Sequence, residues 1–185
     1  QIKLFDLDGV GRSPSRMDYV KLAHLNGVWM RQADDERLTN DVLERLQGRE
    51  GVVADDRTRA RVLAMMSGLK ERAKTLVELT DNAAFAGFTL PLTFTPKAEK
   101  LLDENGRKVL EGVGHDLAAL PDFTAEAIDG ALRAYAEKNE LKLGSVAQPL
   151  RAAMTGSTTS PGIDLTLAAL GRDEVLARIA SVLSA

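Results

Sequence analysis

Between residues 62 and 76, apolar side chains recur at Val62, Met66, Leu69, Ala73 and Leu76, in steps of four, three, four and three. That spacing lays a single apolar stripe along one long helix, while Arg57, Arg61, Lys70, Glu71, Arg72 and Lys74 fall on its other faces. A stripe of this kind must be covered, and the rest of the chain offers helices rather than strands to cover it. Aromatic residues make up only 4% of the sequence while hydrophobic residues reach 44%, a balance that suits packed helices better than a β-sandwich or barrel. With 185 residues, one or two compact domains with their own cores are expected. The fold class read from the sequence is mostly α, in two or three small lobes, with little or no β-sheet.

Around that helix the punctuation is regular. Ile2, Leu4, Phe5 and Leu7 form one short strand candidate, ended by Asp8-Gly9. Ser13-Pro14 reads as a cap and a first-turn proline ahead of a helix carrying Met17, Val20, His24 and Leu25, closed by Asn26-Gly27. A second helix is expected from Thr39, with Val42, Leu43 and Leu46 on one face, ending at Gly48. The stretch from Phe85 to Pro96 has prolines, threonines and no helical period, and reads as a linker or domain boundary. Helices resume near Lys97. Thr124 caps one that buries Ile128, Leu132, Tyr135 and Ala136, and Ser145 caps another running to Met154. A loop of small and polar residues follows, Thr155 to Gly162, and Gly171 separates the last two helices.

Composition excludes several functions. The 24 basic and 27 acidic residues give a net charge of −3, so nucleic-acid binding would need a local patch rather than a basic coat. Without cysteine there is no disulfide, zinc knuckle or thiol nucleophile. No apolar run approaches the roughly 20 residues that span a bilayer, and no membrane partner is expected. No signal peptide opens the chain, which starts at Gln1 and reads as a fragment.

The most catalytic-looking motif is Phe5-Asp6-Leu7-Asp8-Gly9. A strand ending in Asp-x-Asp-Gly resembles the first motif of haloacid-dehalogenase-type phosphatases, where one aspartate attacks phosphorus beside Mg²⁺. Val52-Val53-Ala54-Asp55-Asp56 would then stand for a later acidic pair. Such a site needs several parallel strands, and the alternation that builds them is not visible. Asp55-Asp56 has a sufficient structural role at the start of the stripe helix. His24 reads as a packed histidine, and His115 has only Asp116 beside it, which is no metal-ligand set. The run Gly9 to Ser13 lacks the Lys-Ser/Thr ending of a P-loop and reads as a plain turn. Met65-Met66 reads as core packing.

Three segments taken together resemble the glutamyl-tRNA synthetase family. They are Phe5 to Pro14 with Lys21 to Gly27; Lys70-Glu71-Arg72-Ala73-Lys74-Thr75-Leu76; and Leu141 to Gly144 through Gln148-Pro149-Leu150-Arg151, Thr155-Gly156, Ser160-Pro161-Gly162 and Leu170-Gly171-Arg172. The last is the most specific, and the likeness runs over essentially the whole chain. It implies residues 1–37 as the end of a stem-contact region, 38–95 as a first helical anticodon-binding lobe and 96–185 as a second. It accounts for Asp6 and Asp8 without phosphoryl chemistry.

The resemblance also implies what each part does. The His-Ile-Gly-His and Lys-Met-Ser-Lys-Ser signatures of a class I ligase are absent, so the chain should carry no catalytic residue, metal or cofactor of its own; ATP and Mg²⁺ serve the full-length enzyme. The implied partner is tRNA(Glu), with tRNA(Gln) open as a second, bound by a monomer in the cytoplasm during translation. Sequence-specific readers of RNA engage unstacked loop bases, and a small-residue loop stiffened by proline suits such close approach. Arg151, Ser160, Pro161 and Ile163 match positions that contact the first two anticodon bases, Ser160 and Ile163 standing for the threonine and leucine of some members. A basic residue of the first lobe should read the third base; Arg72 is favoured, with Lys74 and Arg61 as alternatives. The readings from other classes are the Mg²⁺-dependent phosphatase at Asp6 and Asp8 and a helical protein-interaction module.

Overall fold

The structure, a computed structural model, describes residues 16–185. The expected strand at 2–7, the Ser13-Pro14 cap, the Gly9 to Ser13 turn, and Asp6 and Asp8 lie outside the described residues. In chain order the helices are α1 Tyr19–Gln32, α2 Asp35–Leu46, α3 Asp56–Lys70, α4 Leu76–Ala83, α5 Pro96–Glu99, α6 Glu104–Ala118, α7 Ala125–Lys138, α8 Leu143–Thr155, α9 Ile163–Leu170 and α10 Arg172–Leu183. A 3-10 turn, Ala84–Gly87, continues α4. Among the described residues there is no strand, only a bridge between Val52 and Phe88. The expected α class is what forms. The parallel sheet a phosphatase would need is not found among those residues, and Asp55 caps α3 instead, its carboxylate accepting from Thr58 N at 2.8 Å.

Short acidic and hydroxyl side chains start most helices. Asp18, Asp34, Asp55, Thr75, Thr95, Asp103 and Thr124 each accept a hydrogen bond from a first-turn N–H that has no partner within its own helix. Several boundaries differ from the sequence reading. α1 does not stop at Asn26-Gly27 but runs through to Gln32. Gly27 is buried, and a side chain there would meet the Lys74 backbone, while Asn26 Nδ2 donates to Lys74 O at 2.5 Å. That pair is therefore a contact between elements rather than a helix stop. α2 starts at Asp35, and the Thr39 hydroxyl donates back to Asp35 O at 2.7 Å from inside the helix. α8 starts before Ser145, with Lys142 at its cap position and no side-chain cap. His24 is exposed rather than packed.

The stripe helix is in fact two. α3 ends at Lys70, the backbone unwinds through Glu71 to Thr75, and α4 begins under a Thr75 cap that accepts from Glu78 N at 3.1 Å. Glu78 reaches back to accept from Lys74 N at 2.7 Å. The stripe survives the break: Val62, Met66, Leu69 and Ala73 are all buried. One hydrophobic core runs from Met30 through these residues to Leu110, Ile128, Leu150, Leu167 and Val182. Each fully buried Leu, Met or Val contributes about 1.5–3 kcal/mol. Within that core α3 packs against both α2 and α9, so the helices on either side of the Phe85–Pro96 segment meet face to face.

Candidate nucleic-acid interface

The reading loop is shaped by where α8 must end. Gly156 takes a left-handed conformation, φ 66°, and its N–H closes on Ala152 O at 2.9 Å. A side chain at Gly156 would also strike Thr93 O, so the turn and the close approach both call for glycine. The chain then crosses from Ser157 to Gly162 and enters α9 at Ile163.

Inside this loop Ser160 is only 5% exposed, and its hydroxyl joins three neighbours, the Thr166 hydroxyl at 3.4 Å among them. It accepts from Arg151 Nε at 2.9 Å and donates to Pro161 O at 2.8 Å. Arg151 thus reaches Ser160, nine residues further along the chain. Among the described residues no protein acceptor meets the terminal amino groups of Arg151, so the planar fork keeps donors for an outside ligand. Pro161 is buried against α3, where an added Cβ at Gly68 would lie 2.9 Å from Pro161 Cβ.

A cavity of about 280 Å³ opens beside this contact, lined by Leu69, Arg72, Asn82, Thr159, Ser160 and Pro161. Arg72 comes from the break after α3, Asn82 from α4, and the rest of the polar rim from the α8–α9 loop. Burial, and then the positive charge of Arg72, hold the Arg151 guanidinium below its ordinary value. Arg72, in the cavity lining, thus bears on Arg151, which stands outside that lining behind Ser160. That arrangement favours oxygen- and nitrogen-acceptor edges or an anion beside them.

The other predicted residues fall as follows. Ile163 opens α9, half-buried against the core and not part of the cavity lining. Lys74 is exposed and also outside that lining. Arg61 is not free to read a base. It is 7% exposed and donates to Ala86 O at 2.9 Å, Leu170 O at 3.0 Å and Glu174 Oε2 at 3.0 Å. Beside it Arg178 is fully buried, donating through Nε to Glu174 Oε1 at 2.8 Å, and to Phe85 O and Met154 O. Burial alone would raise the Glu174 carboxyl, but the hydrogen bonds and charges of Arg178 and Arg61 outweigh it and hold the group below its ordinary value.

Sequence reasoning missed Gly68, Asn82 and this Arg–Glu–Arg cluster. Gly68, a glycine inside a helical stripe, carries the one signal that could have been used, since mid-helix glycine costs about 1 kcal/mol unless something approaches closely. A larger cavity, about 710 Å³, lies around Tyr135, Asn139 and Gln148, and none of the predicted reading residues line it.

Comparison with known proteins gives the family. The family described as "Anticodon binding domain" matches residues 36–183. The chain belongs to the anticodon-binding domain family. Among curated relatives, this anticodon-binding chain is 88% identical over 184 residues to glutamate–tRNA ligase 1 of Gluconobacter oxydans and 66% identical over 182 residues to that of Gluconacetobacter diazotrophicus. Those matches take in 100% and 98% of this chain but 39% of each relative's length. The fold matches a solved glutamate tRNA ligase from Elizabethkingia meningosepticum with a TM-score of 0.80 at 24% identity, over 99% of this chain and 36% of that one. The Ser160-Pro161 loop, its Arg151 support and Arg72 all fall within the residues that match the anticodon-binding family.

Proposed function

We propose that this chain is the tRNA-reading part of a glutamate–tRNA ligase, with residues 38–95 and 96–185 as two anticodon-binding lobes and the segment up to residue 37 as the end of a stem-contact region. In that setting the complete enzyme joins glutamate to tRNA(Glu) with ATP and Mg²⁺ in the cytoplasm, and this portion supplies recognition rather than chemistry. The observation that carries the reading is that Arg72 lines the cavity beside Ser160-Pro161 while Arg151 bonds Ser160 through Nε and its terminal amino groups meet no acceptor among the described residues. Arg151, Ser160, Pro161 and Ile163 engage the first two anticodon bases, and Arg72 engages the third. Loop bases, splayed out of their stack, can insert their edges between such side chains.

A net negative chain binds RNA through this local patch, so phosphate contacts add a salt-dependent component without dominating it. Titrating the monomeric chain with purified glutamate and glutamine isoacceptors tests the proposal. Saturable binding to tRNA(Glu), lost when the anticodon is replaced, is the expected result. Equal, weak binding to every tRNA would favour a helical module for some other partner. A comparable affinity for tRNA(Gln) would make the parent ligase a non-discriminating one.

A further inference from the structure

We infer that Asn82 is a specificity-determining residue, reading the third anticodon base together with Arg72; the inference rests on the proposed function and deepens it. Asn82 is half-buried on α4 and lines the same cavity as Arg72, Ser160 and Pro161. Its side-chain amide lies 3.4 Å from Arg72 O, which can only accept. That neighbour orients the amide with its nitrogen toward the backbone and its oxygen turned away, where among the described residues no protein donor meets it. The lining therefore combines Arg72, whose guanidinium only donates, with Asn82, whose amide oxygen accepts.

Base edges differ in how they answer such a wall. Cytosine offers two adjacent acceptors, O2 and N3, followed by the N4 amino donor. A guanidinium can bond both acceptors while the Asn82 oxygen takes the amino hydrogen. Uracil places a donor at N3 between two acceptors and so cannot take both guanidinium bonds. Guanine has a single acceptor, O6, on this edge, beside its N1–H and amino donors. Glutamate codons begin with G, so the third anticodon base of tRNA(Glu) is C. Arg72 alone supplies attraction for any acceptor; the amide oxygen beside it converts that attraction into a preference for an amino-bearing pyrimidine.

The test uses the full chain and anticodon stem-loop RNAs carrying C, U or G at the third anticodon position, with affinities measured by fluorescence anisotropy. Asn82→Leu keeps the shape and removes both polar ends. It is expected to lower the C-over-U affinity ratio about fivefold or more while leaving discrimination at the first anticodon base unchanged. Asn82→Ala gives the same reading should the leucine variant lose its helix signal. If Asn82 merely braced the Arg72 backbone, both variants would weaken all loops alike and leave the ratio unaltered, which would overturn the inference. Arg151→Ala, run in parallel, separates this outcome from failure of the proposed function. If that variant binds every loop as well as the parent chain, the anticodon reading itself is wrong.

Discussion

Among the described residues the Arg151 side chain is held by a single bond, from its Nε to the Ser160 hydroxyl, and that bond fixes the plane of its fork. Truncation removes both the anchor and the donors. Arg151→Ala should weaken tRNA(Glu) binding by about 1–3 kcal/mol, using the cost of one bidentate base contact as a guide, with helix content by circular dichroism unchanged. Arg151→Lys should recover little, because an ammonium group reproduces neither the Nε anchor nor the fork. Gly68 offers a second residue-level test. Alanine there gains about 1 kcal/mol of helix propensity but places a methyl 2.9 Å from Pro161 Cβ. Thermal stability of Gly68→Ala should change little while tRNA affinity falls, as the loop is lifted off α3. Unchanged affinity would show that the seat of Pro161 does not matter for reading. Of these residues, Arg151, Ser160 and Pro161 were legible because they lie close in sequence in a recognisable order. Asn82 was not, since nothing local distinguishes a surface-spaced asparagine from one facing a loop nearly eighty residues on.

At the scale of elements, the decisive feature is the break between α3 and α4, which puts Arg72 at a helix end rather than on a solvated helical face. The apolar stripe hides that break. Ala73 stays 2% exposed and Leu76 still packs on the core, so the hydrophobic period continues where the backbone does not. Thr75-Leu76-Val77-Glu78 carried the contrary signal, a hydroxyl three residues before a glutamate, and the stripe overrode it. Thr75→Ala should destabilise the fold by about 1 kcal/mol in chemical denaturation. It should also blunt third-base selectivity more than Arg151-dependent recognition, because only the Arg72 segment is loosened. The start of α2 was misplaced for a simple reason: Asp34 and Thr39 both suit a helix start, and spacing alone does not rank them.

Across the whole molecule, the two halves are joined by packing of α3 on α9 and by one buried ion cluster. Glu174 holds Arg61 of α3 and Arg178 of α10, and both arginines also serve carbonyls at the ends of neighbouring elements. Glu174→Gln leaves a fully buried guanidinium without its counter-charge, and a loss of about 3–5 kcal/mol is expected. The sign with pH follows from the depressed Glu174 carboxyl. Its contribution is complete above the unfolded glutamate value of about 4.3 and is lost as pH falls through the lower folded value. The stability gap between parent and Glu174→Gln should therefore narrow on acidification below about pH 4.3, read as melting temperature across a pH series. This joint could not be read from the sequence: Arg61 lies more than a hundred residues from Glu174 and Arg178, and it looked like a charge on an exposed helix face.

On the proposed function, Arg72 and Arg151, one from each half, read one anticodon. The most direct test is a double-mutant cycle on tRNA(Glu) affinity with Arg72→Ala, Arg151→Ala and the pair, repeated on a tRNA with a replaced anticodon. Losses for each single variant on the native anticodon, vanishing on the replaced one, are predicted. Losses of equal size on both RNAs would mean that the two arginines bind backbone phosphate without reading sequence.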